Sequence, residues 1–282
     1  MKLLQRVCVA ILATTLACAL VALEAHGLQF QYYGRRNRGY DDYYGSDSNE
    51  KAEFYWSRLE YHSRYERGGF GGLGGYDFYA GWSRDYPKAD RQFLLAMKRL
   101  TNISTRSTEQ VVDIDKPDDD PKTLDNFPWV YAVQVADWSF TEPEAKRLHD
   151  YLMKGGFLMV DDFHGTQDWQ NFMNGMRQVL PDRPVEDLSD NDEIFHVLYD
   201  LSNRFQVPGE QYVNTGRTYE KDGYVAKWRA IRDDKGRIMV AICHNMHLGD
   251  AWEWADDPAY PEKFASLAFR VGLNYIIYGM TH

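Results

Sequence analysis

Two apolar runs in this chain each end in a cluster of acids and imidazoles. Phe157-Leu158-Met159-Val160 leads into Asp161, Asp162 and His164, and Ile238 to Cys243 leads into His244, Asn245, His247, Asp250 and Glu253. Carboxylates mixed with imidazoles suit Zn²⁺, Mn²⁺ or Fe²⁺, whereas an all-oxygen set suits Ca²⁺ or Mg²⁺. A divalent-metal reading takes Asp161, His164 and His244 as ligands, with Asp162 or Glu210 as base on a bound water. The spacing matches no specific metal motif. A local reading competes with it. An aspartate at a strand-to-helix turn is the expected helix cap, the histidines bond loop backbone, and Asp250 and Glu253 face water.

A nucleophile is harder to find. Cys243 ends an apolar strand, where a thiol is usually an inert small hydrophobe. There is no Gly-x-Ser-x-Gly elbow. Trp169, Trp252 and Trp254 lie near carboxylates in the chain, as in a sugar platform beside an acid pair, although core packing explains Trp169 more simply.

The elements that must position these groups follow from periodicity. Trp129 to Val135 and Phe157 to Val160 are almost wholly apolar, as strands covered on both faces are. Between them Thr141 and Glu144 form a capping box, Ala145, Leu148 and Leu152 make a buried stripe, and Gly155 stops the helix. Trp169, Phe172, Met173, Met176 and Leu180 mark the next helix, before Pro181. Strand, helix, strand, helix in this rhythm predicts right-handed crossovers and a mostly parallel sheet. Val225 to Ile231 and Ile238 to Cys243, joined by Asp233-Asp234-Lys235-Gly236, predict an antiparallel hairpin. Phe54 to Tyr61, Gln110 to Asp113 and Val185 to Leu188 read as further strands, and Pro87 to Leu100 and Pro261 to Tyr278 as helices. The stretch from Asp190 to Asp222 reads as irregular, with a turn at Pro208-Gly209-Glu210. If the two acid-ended strands are parallel neighbours, Asp161, Asp162, His164, Glu210, His244, Asn245, Asp250 and Glu253 line one pocket at the carboxyl edge of the sheet, with His196 in reach.

Length and composition bound the rest. At 282 residues the chain supports one large domain with extensions. A formal net charge of -10 excludes a nucleic-acid backbone as partner, since that needs a basic face. Lys2 and Arg6 precede an uncharged apolar run from Val7 to Leu23, with small residues at Ala22 and Ala25, which reads as an export signal over residues 1–25. An uncleaved membrane anchor is the alternative. Removing the signal removes Cys8 and Cys18, so Cys243 has no partner for an internal disulfide. Residues 26–52 are rich in Tyr, Gly and Arg without a period and read as a linker or an interaction tail. Gly68 to Gly75 lacks the strand before and helix after that a phosphate loop needs, and reads as a surface loop. The folded domain is 53–282.

Three runs carry a resemblance. Ala80-Gly81-Trp82-Ser83-Arg84-Asp85-Tyr86-Pro87-Lys88-Ala89-Asp90, Gly155 to Gly165, and Cys243 to Trp254 resemble DUF4159, a bacterial domain family of unknown function. The resemblance spans roughly Glu53 to His282. It implies a flavodoxin-like, class I glutamine amidotransferase-like three-layer α/β sandwich in a bacterial envelope protein, and brings no established activity. Amidotransferases of that group hold a cysteine at the turn after a glycine-led strand, where this chain has Asp161 to His164. Glutaminase chemistry is therefore not expected. The leading expectation is an exported module for ligand binding or envelope assembly, with an envelope protein or carbohydrate as partner. The alternative is a metal-dependent hydrolase of an envelope carbohydrate or peptide.

Overall fold

Strands that are apolar on both faces have to be covered on both, and the observed sheet is built that way. The structure is a computed structural model and describes residues 51–64, 81–117 and 119–282. The export signal, nearly all of the linker and the glycine-rich loop read from the sequence lie outside the described residues. Among those described, no helix is long and apolar enough to cross a membrane.

The chain is α/β, with a seven-stranded, mostly parallel sheet. In chain order its strands are β1 (Ser57–Glu60), β2 (Gln110–Asp113), β3 (Trp129–Val133), β4 (Phe157–Asp161), β5 (Glu186–Asp187), β6 (Lys227–Arg232) and β7 (Ile238–His244). They lie in the order β2-β1-β3-β4-β7-β6-β5. The run from β2 to β7 is parallel, while β6 and β5 are antiparallel additions at one edge. The helices are α1 (Lys88–Leu100), α2 (Glu142–Met153), α3 (Gly165–Val179), α4 (Gln211–Thr215), α5 (Leu248–Glu253) and α6 (Glu262–Thr281).

Side chains alternate between faces along each strand. Trp129, Tyr131, Phe157 and Met159 pack with α1, α5 and α6, whereas Val130, Ala132, Leu158 and Val160 pack with α2 and α3. The capping box on α2 is present in full: Thr141 and Glu144 bond each other's backbone N–H. Burial raises the Glu144 carboxyl, but its bonds from Thr141 outweigh this and hold it at about 2.

Several boundaries differ from the periodicity reading. The first strand is cut back to Ser57–Glu60, and Phe54 makes only an isolated bridge to Thr105. β3 stops at Val133 because Gln134 takes φ 51, which no strand residue adopts. The stretch read as irregular contains a 3₁₀ turn, Glu193–Phe195, and α4. The run after β7, to which periodicity assigned no element, contains α5.

One buried ion pair holds the segment that later enters the site. Arg58 on β1 is fully buried and makes a two-pronged bond to Asp90 on α1, at 2.9 Å from Nε and 2.6 Å from Nη2. Its Nη1 donates to the carbonyls of Trp82 and Arg84, at 3.0 and 2.9 Å. Asp90 also accepts from the Trp56 indole. Arg58 thus pins the 82–84 backbone immediately before Asp85. Taking away one member of such a pair strands the other charge in the core, so Arg58→Met is expected to cost about 3–5 kcal/mol. The check is the urea midpoint at unchanged slope; a loss below about 1 kcal/mol would show that the pair anchors nothing.

Candidate functional site at the carboxyl edge of the sheet

β4 and β7 are parallel neighbours, so their acid-bearing ends emerge side by side. Each then caps the helix that follows the other. Asp161, at the end of β4, accepts from the Leu248 and Gly249 N–H groups at 2.6 and 3.0 Å, which are the first of α5 after β7. The Tyr131 hydroxyl donates to the same oxygen at 3.2 Å. In return Asn245, just past β7, accepts from the Gly165 N–H that opens α3, at 2.8 Å, and donates to Val225 O at 2.7 Å. Asp222 accepts from Thr166 N at 2.9 Å, and Asp168 accepts from His164 N at 2.9 Å. First-turn N–H groups have no partner within their own helix, so these exchanged caps satisfy donors that would otherwise be orphaned. Burial lifts the Asp161 carboxyl to about 7.

His247 draws three segments together. Its Nε2 lies 2.8 Å from Asp85 and 3.5 Å from Asp162, and its Nδ1 lies 3.2 Å from Asp250. Asp250 also accepts from Glu210 N at 2.6 Å. Burial alone would lower the imidazole, but Asp162, Asp250 and Asp85 hold it well above its usual range. His247 is therefore an imidazolium with both N–H groups spent on carboxylates. The packing around it is close. A Cβ at Gly209 would sit 2.6 Å from Asp250 and 2.8 Å from His247, so only glycine fits there.

A second imidazole is supplied differently. His164 Nε2 lies 3.2 Å from Asp162 Oδ1 and 3.6 Å from Glu220 Oε1. Its Nδ1 is buried without a hydrogen bond, and so is Asp162 Oδ2. Burial works to raise the Asp162 carboxyl, yet His247 and the bond from His164 bring it down to about 2, so it is ionised. Burial raises Asp250 well above the carboxylate range, and burial with the charge of Asp85 raises Glu253 to about 8.

Backbone strain gathers at the same place. The described non-glycine residues with positive φ are Asp85 (63), Gln134 (51), Asp162 (55), Lys221 (50) and Asn245 (65). Asp85, Asp162 and Asn245 belong to the cluster or its caps, and Lys221 follows Glu220 and pairs with Asp168 at 2.5 Å. Gln134 ends β3 beside them, its backbone N–H bonded to Asp161 O at 3.1 Å.

The structure sorts the sequence candidates. Asp162, His164 and Asp250 join the cluster, with Glu253 close enough for Asp85 and His247 to act on its charge. Glu210 contributes its backbone N–H, and Asn245 is a cap. Asp161 and His244 end on opposite faces of the sheet, and the set Asp161, His164 and His244 is not among the described groupings tight enough for an ion. The reason is strand parity: Asp161 continues the Phe157–Met159 face toward α5, and His244 continues the Val240–Ile242 face toward α3. His244 stacks on Phe163 and Trp169 at 4.9 and 5.0 Å and meets Gly165 O at 3.2 Å, and burial lowers it to about 4. His196 is also elsewhere, against Asp190 and Asp200. Trp252 is core, as Trp169 was expected to be, and its ring packs on Trp56 and Phe93.

Three contributors carry no site assignment in the sequence reading: His247, Asp85 and Glu220. Asp85 stands in the Ala80–Asp90 run, and its signal was an acid directly before an aromatic-proline pair. Glu220 had no signal beyond its charge.

The match of the family profile for the domain of unknown function DUF4159 extends over residues 74–280, most of the chain and all of this site. The chain belongs to the DUF4159 family. No curated protein was found to match it. The DUF4159 profile thus takes in every element that builds the acid-imidazole cluster, from the Asp85 loop to α5.

The pKa directions set a pH dependence. Asp161 at about 7 and Glu253 at about 8 hold protons in the folded state that the unfolded chain releases near pH 4. Stability must therefore fall as pH rises from about 4 to about 8. His247 acts in the same direction: its contribution is full below about 6.5 and is lost as pH climbs through its raised folded value. Asp162 and Glu144, held at about 2, contribute stability that is lost as pH drops below about 4. In chelator the melting temperature should peak in mildly acidic buffer. Asp161→Asn keeps a carbonyl acceptor for the α5 N–H groups without the charge, and should flatten the fall between about pH 5 and 8. Asp161→Ala should instead cost about 1–3 kcal/mol throughout, by orphaning those donors.

Proposed function

We propose that this is an exported bacterial envelope protein whose domain is a binding module, seating an amine-bearing envelope peptide or glycan on the carboxylates at the sheet's carboxyl edge. The observation that carries the reading is the coincidence there of described backbone strain with a dense cluster of buried acids. Strained residues persist where surrounding structure over-determines them, and they gather at functional sites. Burial is the first cause of the raised Asp250 and Glu253 carboxyls, and an ammonium group beside them would favour their ionised forms. Tyr219 and Tyr224 flank the loop that carries Glu220, with ring centroids 4.8 Å apart and Tyr224 exposed, which suits stacking on a ligand.

The order 2-1-3-4 of the parallel strands, continued by β7, supports placing the domain among flavodoxin-like, class I glutamine amidotransferase-like three-layer sandwiches. Its turn after β4 offers Asp162 where amidotransferases carry a thiol. Cys243, the free cysteine of the described residues, is fully buried, and burial raises its thiol well above the usual range. Amide transfer is therefore not the proposed activity. A metal-dependent hydrolase is the second reading, favoured by the grouping of Asp162, His164 and Glu220 with ligand atoms within 4.8 Å of one another.

Calorimetry with soluble peptidoglycan fragments carrying free amines, and with the same fragments acetylated, tests the leading reading. Free-amine fragments should bind, acetylated ones should bind at least about tenfold more weakly, and Asp85→Asn should weaken the former by a similar factor. Equal binding of both forms, or of neither, would overturn it. Export is tested separately: envelope fractionation should recover a protein whose amino terminus falls near His26, and a purely cytosolic full-length chain would remove that part.

A further inference from the structure

We propose that Asp162, His164 and Glu220 form a site for one divalent transition ion, Zn²⁺ or Mn²⁺, with coordination positions left open toward solvent. The inference deepens the binding reading above and depends on the carboxyl edge being the site.

Most of the lone pairs in the acid-imidazole groupings are already spent. The described residues contain three such groupings tight enough for an ion: His62, Asp115 and Glu144; Asp85, His247 and Asp250; and Asp162, His164 and Glu220. In the first, Glu144 is committed to the capping box of α2, and His62 and Asp115 are half exposed. In the second, both nitrogens of His247 meet carboxylates, and the imidazolium is already the cation. Neither needs an ion.

The third differs in its proton count. One imidazole nitrogen stands between two carboxylates, at 3.2 Å from Asp162 and 3.6 Å from Glu220. A single N–H serves one of them at a time. Two further polar atoms are left over, Asp162 Oδ2 and His164 Nδ1, both buried and neither in a hydrogen bond, although His247 stands 3.5 Å from the former. Asp162 and His164 are 7% and 3% exposed, so water does not readily make good the deficit. An ion that replaces the proton on Nε2 engages all three side chains together and leaves the imidazole proton on Nδ1.

The spacing agrees with the ion's own dimensions. Bonds of about 2.1 Å from Zn²⁺ to nitrogen and oxygen put neighbouring ligand atoms about 3.0–3.4 Å apart. The observed 3.2 and 3.6 Å reach that range with side-chain movements of a few tenths of an ångström. One nitrogen and two carboxylate oxygens suit a first-row divalent ion rather than Ca²⁺. Three protein ligands leave at least one position for water or a ligand group. Glu220 is 34% exposed, so the set reaches solvent through its own carboxylate. The strain at Asp162 and Lys221 falls on the two backbone positions that aim this set.

The test uses the purified protein stripped with chelator and titrated by calorimetry with Zn²⁺ and, separately, Mn²⁺. One ion per chain is expected for the parent and for Asp115→Asn, with affinity weakened about tenfold or more in Glu220→Gln and in His164→Gln. Glu220 is partly exposed, so its variant tests the site even where His164→Gln fails to fold. Loading with Co²⁺ should give visible ligand-field absorption in the parent that His164→Gln alters. Unchanged affinity in Glu220→Gln, or loss in Asp115→Asn, would overturn the assignment. If the parent binds neither ion while free-amine fragments still bind, the metal site falls and the binding reading stands. If amine fragments fail but the ion binds with the expected variant pattern, the metal site stands without that ligand class.

Discussion

The structure turns on an exchange between two neighbouring strands. β4 ends in Asp161 and β7 runs on into Asn245, and each side chain reaches across to the first N–H groups of the helix that follows the other strand. A helix end buried beside a sheet must find partners for these donors or leave them unpaired at a cost of about 1–3 kcal/mol each. Because the partners are crossed, α3 cannot be seated correctly unless β7 is paired, nor α5 unless β4 is. The six-residue α5 has no length with which to stabilise itself, and its fixation by a buried carboxylate explains how so short a helix can present His247 and Asp250 reproducibly.

The exchange has an electrostatic consequence. With α5 fixed, His247 stands at its N-terminal boundary and becomes the common counter-ion of acids from three distant segments: Asp85 before α1, Asp162 after β4 and Asp250 within α5. The Arg58–Asp90 pair sets the Asp85 end of this arrangement by gripping the carbonyls just before it. Burial raises Asp250 and Glu253, the charge of Asp85 adds to both, and His247 works against it. Buried charge without full compensation is costly to fold. Any cation that bound only the folded chain at this edge would add to its stability.

Much of this was legible in the residues, and the parts that were not have physical reasons. Wholly apolar runs marked β3, β4 and β7 as buried strands, and the polar residues that ended two of them marked the carboxyl edge. The turn chemistry at Asp233-Asp234-Lys235-Gly236 marked the β6–β7 hairpin, which is observed. Strand parity was readable in principle: counting by twos from Phe157 and from Val240 sends Asp161 and His244 to opposite faces, which separates a pair that proximity in the pattern had joined. The helix α5 was not readable, because six residues containing Gly249 carry no period. Asp85 lies far from the other site residues in the chain, and only the tertiary fold brings it to His247. His247 itself was visible as one of several acids and imidazoles after β7, but its rank over His244 depended on the turn at Asn245, where a φ of 65 redirects the chain.

The position of Asp162 joins the fold to its chemistry. A sharp turn between a strand and a helix, with the residue at positive φ, is the device that lifts a nucleophile above a sheet. This chain has a positive-φ turn there that carries a carboxylate, held ionised by two imidazoles. A carboxylate in that setting is a weak nucleophile when solvated by N–H donors and a good ligand when one of its oxygens is left unbonded, as Oδ2 is here. Relaxing Asp162 to an ordinary conformation would recover roughly 1–3 kcal/mol of strain but would withdraw the carboxylate from both His247 and His164. The turn at Asp162 thus serves to place a negative charge within reach of both imidazoles.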